Sequence, residues 1–185
     1  MSPSENYGAT DGRRLVRHLT GNGRYIFSTE EAHAAARKLG IRNNYESVLM
    51  TSLVQGGWLQ RLRRGLYGIA DVSIHPFAIA TRLVEPSAIS HWSALNHHGF
   101  TEQIPQSIFA MSPGKVVTPS MRSHSSRRPA ERHAWRIGSI RYQYISVKRE
   151  YFFGIEPVWI SEHFRIPMTD KERTVLETIL RKEKP

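Results

Sequence analysis

The sequence predicts an α+β protein: an N-terminal winged helix-turn-helix followed by a small mixed α/β domain. Three observations predict it. A helix marked at both ends is followed closely by a second helix with one apolar face and one hydrogen-bonding face. A short hairpin pattern then surrounds the arginine-rich "RLRRG". Beyond residue 75, short helical stretches alternate with strand-like ones.

Each element has a local reason. Residues 1–10 are small and polar and are expected to form a flexible N-terminus. "RRLVRHL" (13–19) places Leu15, Val16 and Leu19 on one helical face, and "GNG" (21–23) stops it. In "FSTEEAHAAARKLGI", Ser28 and Glu31 have the Ser-x-x-Glu spacing of a capping box. Alanines fill its centre, Arg37 and Lys38 suit the negative C-terminal end, and Gly40 stands at the stop. "RNNYESVLMTSLVQGG" (42–57) reads as a third helix. Tyr45, Leu49, Ser52 and Leu53 share its expected inner face, and Asn43, Asn44, Ser47 and Thr51 the opposite one. Gly56 and Gly57 release the chain into two short strands over 58–69. Trp58, Leu59 and Leu62 are expected to pack in the first strand, and Leu66, Tyr67 and Ile69 in the return. Gly65 supplies the positive φ of the turn.

A boundary is expected within 70–76, dividing a DNA-binding domain at 11–72 from a second domain at 76–185. Pro76 opens a helix through "FAIATRLV" that Glu85-Pro86 stops. "SHWSALNHHG" (90–99) is a further helix, with Ser90 as N-cap and Gly99 past its end. "SIFAMSP" (107–113) and "SIRYQYISV" (139–147) read as strands. Residues 114–135, rich in Ser, Pro and Arg, read as a long mobile loop. "YFFGIEPVWI" follows, then "FRIPM". In "TDKERTVLETIL" (169–180), Thr169 and Glu172 have capping-box spacing, and Val175, Leu176, Ile179 and Leu180 form an apolar stripe.

Composition narrows the function classes. The 185 residues carry 26 Lys and Arg against 16 Asp and Glu, a formal charge of +10, which suggests a polyanionic partner. There is no cysteine, so disulfides, thiolate catalysis and Cys-ligated metals are excluded. A cytoplasmic location is expected. The N-terminus lacks the apolar core of a secretory signal, and no run reaches the roughly 18–20 apolar residues of a membrane span. Neither a Gly-rich phosphate loop nor a nucleophile elbow is present. His91, His97 and His98 lack ligand spacing, so no metal, no cofactor and no catalytic residue is expected. A nuclease would need clustered carboxylates. Asp170-Lys171-Glu172 comes nearest and is better explained as a helix N-terminus. Trp58, Trp92, Trp135 and Trp159 are expected in the core rather than as stacking platforms.

The expected partner is double-stranded DNA. Asn43, Asn44, Ser47 and Thr51 have the side chains that read base edges or bond phosphate. Arg42, at the start of the same helix, is a phosphate candidate, with Arg24 less well supported. Arg61, Arg63 and Arg64 stand where a wing reaches phosphate or the minor groove. Arg122, Arg127, Arg128 and Arg132 form a second basic segment with Arg136. It reads either as a further nucleic-acid contact or as a solvated loop, the latter being favoured. No heptad run supplies a strong dimerisation helix, so self-association is expected only on DNA.

With these residues placed, the chain resembles the AbiEi-type antitoxins of type IV toxin–antitoxin (abortive infection) systems. The likeness rests on "GWLQRLRRGLYGI", "PFAIATRLVEPSAISHWSALNHHGFTEQIP", "FFGIEPV" and "IPMTDKERTVLETI", in that order over roughly 24–180. The resemblance implies a winged helix that binds repeats in its own promoter and a C-terminal α/β domain. It also implies a nucleotidyltransferase-like toxin as cognate partner, countered directly or functionally. Family members usually continue past the "ERTVLETI" helix, whereas this sequence ends at "RKEKP", as expected of a short or truncated form. A winged-helix repressor without a toxin partner is the alternative.

Overall fold

The structure, a computed structural model, describes residues 3–118 and 134–181, and within them the side chains of residues 10–42, 45–118 and 134–179. It is a mixed α+β fold with two sheets and, among the described residues, six α-helices. The chain divides into two compact units, Met1–Ile74 and His75–Pro185.

The first unit runs α1 (Pro3–Gly21), β1 (Ile26–Ser28), α2 (Thr29–Lys38), α3 (Asn43–Gln55), β2 (Leu59–Arg63) and β3 (Leu66–Ile69). Its antiparallel sheet has the order β1-β3-β2. The helix α1 begins at Pro3, so residues 3–10 are helical where composition suggested a frayed tail. The capping box forms as its spacing predicts. Glu31 N donates to Ser28 Oγ at 3.2 Å, and Ser28 N donates to a Glu31 carboxylate oxygen at 2.7 Å. Leu15, Leu19 and Phe27 are fully enclosed, joined by Ala32 and Ala36 of α2 and Leu49, Met50 and Leu53 of α3. Each large side chain so buried contributes about 1.5–3 kcal/mol.

Two expectations about packing in this unit are corrected. The inner face of α3 is Glu46, Leu49, Met50 and Leu53, with Tyr45 half-buried; Ser52 is exposed. Trp58 precedes β2 and is 41% exposed, so Leu59 and Leu62 alone pack that strand inward.

The second unit runs α4 (Pro76–Leu83), β4 (Ala88–Ile89), α5 (His91–His97), β5 (Ser107–Ser112), β6 (Ala134–Ile137), β7 (Ile140–Ser146), a 3₁₀ turn (Arg149–Tyr151), β8 (Ile155–Ser161), β9 (Phe164–Thr169) and α6 (Lys171–Arg181). Its mixed sheet has the order β6-β7-β5-β4-β9-β8, with β5–β7 and β4–β9 parallel. Of the expected loop 114–135, residues 119–133 lie outside the described residues, and its last two, Ala134 and Trp135, instead pair with β7.

The last helix reverses the predicted orientation. Val175, Leu176 and Ile179 are exposed, while Arg173, Thr174 and Glu177 are buried; the Leu180 side chain lies outside the described residues. Its cap is Asp170, whose Oδ1 accepts from Arg173 N at 2.7 Å, and Thr169 belongs to β9. The tryptophan expectation also fails in part, since Trp92 and Trp159 are exposed. Trp135 does pack, edge-on against Tyr144.

Candidate nucleic-acid interface

The elements that carry the predicted contact residues are anchored from below. Gly40 ends the α2 region at φ +71°, and α3 starts three residues later with Arg42 at its N-cap position. Arg42 makes no capping hydrogen bond and is exposed. Apolar anchoring at Leu49, Met50 and Leu53 turns the other side of α3 outward. Ser47 and Thr51 lie exposed one turn apart, and the Thr51 hydroxyl donates to Ser47 O at 2.9 Å. That bond uses the Thr51 proton and leaves the hydroxyl oxygen as an acceptor. Asn43 and Asn44 open α3, but their side chains lie outside the described residues. Beneath the helix, Glu46 is buried, and an Oε2–Nδ1 distance of 3.5 Å pairs it with His33 of α2.

The hairpin is held at its turn. Gly65 adopts φ +76°, and its carbonyl accepts from Thr29 N at 3.1 Å, tying the turn to the start of α2. β1 pairs along β3 from Ser28–Leu66 to Ile26–Gly68, and Phe27 stacks on Tyr67. The three arginines are not equivalent. Arg61, opposite Tyr67, is exposed, as is Arg64 in the turn. A register shift between Arg61 and Arg63 leaves Arg63 half-buried, with its guanidinium donating to Arg64 O at 2.9 Å. Of the three arginines expected at the wing, Arg63 is thus turned partly inward. Arg24 lies 3.6 Å from the Glu31 carboxylate, which offsets its charge. Arg122, Arg127, Arg128 and Arg132 lie outside the described residues.

A second constellation, in the other unit, was not legible as a unit in sequence. His91 is buried at φ +52°. Its backbone N donates to Glu177 Oε2 at 3.3 Å, and its Nδ1 lies 2.9 Å from Ser90 Oγ and 3.3 Å from Glu177 Oε2. Arg173 Nε donates to Glu177 Oε1 at 3.1 Å, Arg173 Nη2 donates to Tyr151 O, and the guanidinium stands 4.4 Å from the Phe153 ring centroid. Thr169 and Thr174 hydroxyls lie 2.7 Å apart. Burial pushes the Glu177 carboxyl above its usual value, with Arg173 pulling the other way. The four-residue spacing of Arg173 and Glu177 was the available signal. This network clamps α6 to the start of α5. His98 adds to it, with Nε2 2.7 Å from Thr169 O. Among the described residues, no group of three or more His, Cys, Asp or Glu could hold a metal ion, and no helix is long and apolar enough to cross a membrane.

The class these features define is an α+β fold with a three-helix unit carrying a small antiparallel sheet and a second unit built on a mixed six-stranded sheet. No family model matches the chain, and no curated protein matches it. Among solved structures, the crystal structure of the RV2827C protein from Mycobacterium tuberculosis is similar in fold. The TM-score is 0.58 at 14% identity, covering 94% of this chain and 61% of that one. The chain thus spans about three fifths of that protein's length.

Proposed function

We propose that the protein is a DNA-binding transcriptional repressor of the antitoxin type, whose first unit is a winged helix-turn-helix. α2 and α3 are the helix-turn-helix, with α3 the reading helix and the β2–β3 hairpin the wing. The observation that carries the reading is the pairing of exposed Ser47 and Thr51 on α3 with exposed Arg61 and Arg64 on a hairpin tied to α2. Asn43, Asn44, Ser47 and Thr51 read base edges, while Arg42, Arg61 and Arg64 bind phosphate or enter the minor groove. Arg63 serves mainly to shape the turn. The formal charge of +10 favours a polyanion. The motif resemblance supports repeats in the protein's own promoter as target and a nucleotidyltransferase-like toxin as the function countered.

Two experiments test the two halves. Purified protein is titrated onto duplexes of its promoter and of scrambled sequence over a range of salt. Specific binding that weakens as salt rises is expected; equal affinity for both duplexes, or no salt dependence, overturns the reading. Co-expression with the neighbouring toxin-like reading frame tests the second half, and rescue of growth is expected. Absence of rescue alongside intact promoter binding leaves the plain repressor as the better reading.

A further inference from the structure

We propose that a cleft in the second unit is a binding site for a small amphipathic anion, a compact apolar body bearing one carboxylate or phosphate group. The cleft lies where three chain segments meet: the exit of α4, the segment leaving β5 and the 3₁₀ turn at Arg149–Tyr151 with the residue after it. Its volume is about 640 Å³. Small-molecule sites span roughly 300–1,000 Å³, so the space suits a metabolite-sized ligand.

The walls and the rim differ in chemistry. Val84, Pro113, Val116 and Phe152 are half-buried and give the cleft an apolar interior. Ser112, at the end of β5, has its hydroxyl donating to Pro86 O at 2.9 Å, which fastens the β5 segment to the α4 exit. Lys115 and Arg149 belong to different lining segments, and both are exposed. Neither forms an ion pair among the described residues.

The nearby carboxylates are already engaged. Glu85, the acidic lining residue, pairs with Arg82, and Glu150 lies 3.7 Å from Lys148. Among the described residues, the cleft therefore offers two cations without an ion pair beside apolar lining residues. A neutral apolar ligand would leave those cations unused. A bare inorganic anion would leave the apolar walls unused. An anion with an apolar body engages both, and a guanidinium beside an ammonium can hold either a carboxylate or a phosphate.

Full-length protein is titrated with benzoate, phenyl phosphate, benzyl alcohol and inorganic phosphate, followed by the methyl resonances of Val84 and Val116. Saturable shifts with benzoate, phenyl phosphate or both are expected, and which of the two binds tighter identifies the anionic group. The double variant Lys115→Ala/Arg149→Ala changes two exposed side chains and should keep the native melting transition. It should bind the anionic probe about tenfold or more weakly. A second variant, Val116→Trp, fills the pocket and should block the shift at Val84 while leaving the charges in place. The proposal is overturned if neither aromatic anion binds, if benzyl alcohol or inorganic phosphate binds as tightly, or if the double variant binds unchanged.

Discussion

At the residue scale, exposure sorts the arginines of the hairpin. Arg61 and Arg64 are exposed, while Arg63 is half-buried and donates to Arg64 O. Arg64→Ala and Arg61→Ala should therefore weaken binding to specific and random duplexes alike and lower the salt slope, with a smaller change for Arg63→Ala. Ser47→Ala should instead reduce discrimination between the two duplexes, by about 1–3 kcal/mol for a lost base contact. Competition titrations with both duplexes measure each effect. Loss of discrimination in the Arg64 variant alone would place base reading in the hairpin. Two histidines supply a pH signature. His75 Nδ1 accepts from Phe77 N at the start of α4, and the His97 ring lies edge-on to Phe77. Burial, with a neighbouring imidazole second, holds both below the ordinary value of 6.5: His97 beside His75, and His98 beside His97. At these two histidines the unfolded chain thus takes up protons more readily than the folded one. Their contribution to stability is present above 6.5 and is lost as pH falls through their depressed folded values. Thermal melts stepped down from pH 7 should show a falling midpoint. His75→Asn, which keeps a side-chain acceptor without the titration, should flatten that slope.

At the element scale, the hairpin and α6 respond to different forces. Gly65 sits at φ +76°, where an added Cβ would meet Thr29 Oγ1 at 3.6 Å, an ordinary contact. Gly65→Ala meets no steric obstacle but places an L side chain in left-handed backbone, so it should cost about 1–2 kcal/mol. Urea denaturation measures it, and a neutral result would mean that the turn relaxes. In α6 the buried partners are ionic. Glu177→Ala leaves the Arg173 guanidinium and the His91 amide without their acceptor, so a loss of about 3–5 kcal/mol is expected. Ile179→Ser, on the exposed side of the same helix, should fall within about 0.5 kcal/mol of the parent. Equal effects at the two positions would contradict the observed orientation of the helix.

At the scale of the whole molecule, the proposed repressor must find enough operator to bind specifically. One reading helix and one hairpin cover few base pairs, so two copies on adjacent half-sites, roughly 34–36 Å apart, would supply the missing specificity. The sequence has no heptad run for a dimerisation helix. Free protein should therefore be mainly monomeric in light scattering, and two copies should load onto a two-repeat duplex. A stable dimer without DNA at micromolar concentration would contradict the first expectation. Identical per-site affinity on one and two repeats would show independent loading.

What the sequence determined by itself lies where local chemistry decides. Ser28 and Glu31 close their box within four residues, Gly40, Gly65 and Gly99 take positive φ, and Leu15, Leu19, Leu49 and Leu53 go inside. Pro76 opens α4 for the same kind of local reason. Only the tertiary structure decided which face of α6 is buried. Periodicity weighs apolar side chains and is blind to polar ones that find partners at long range, here Glu177 with His91, 86 residues away. The same blindness hid the inward Glu46, which pairs with His33 of α2. Strands β8 and β9 likewise emerge only as neighbours in the sheet, β9 taking its parallel place beside β4 through a pairing far apart in the chain. A buried polar group is stable only when its partner is in place, and long-range partners are supplied by the fold rather than by the neighbouring residues.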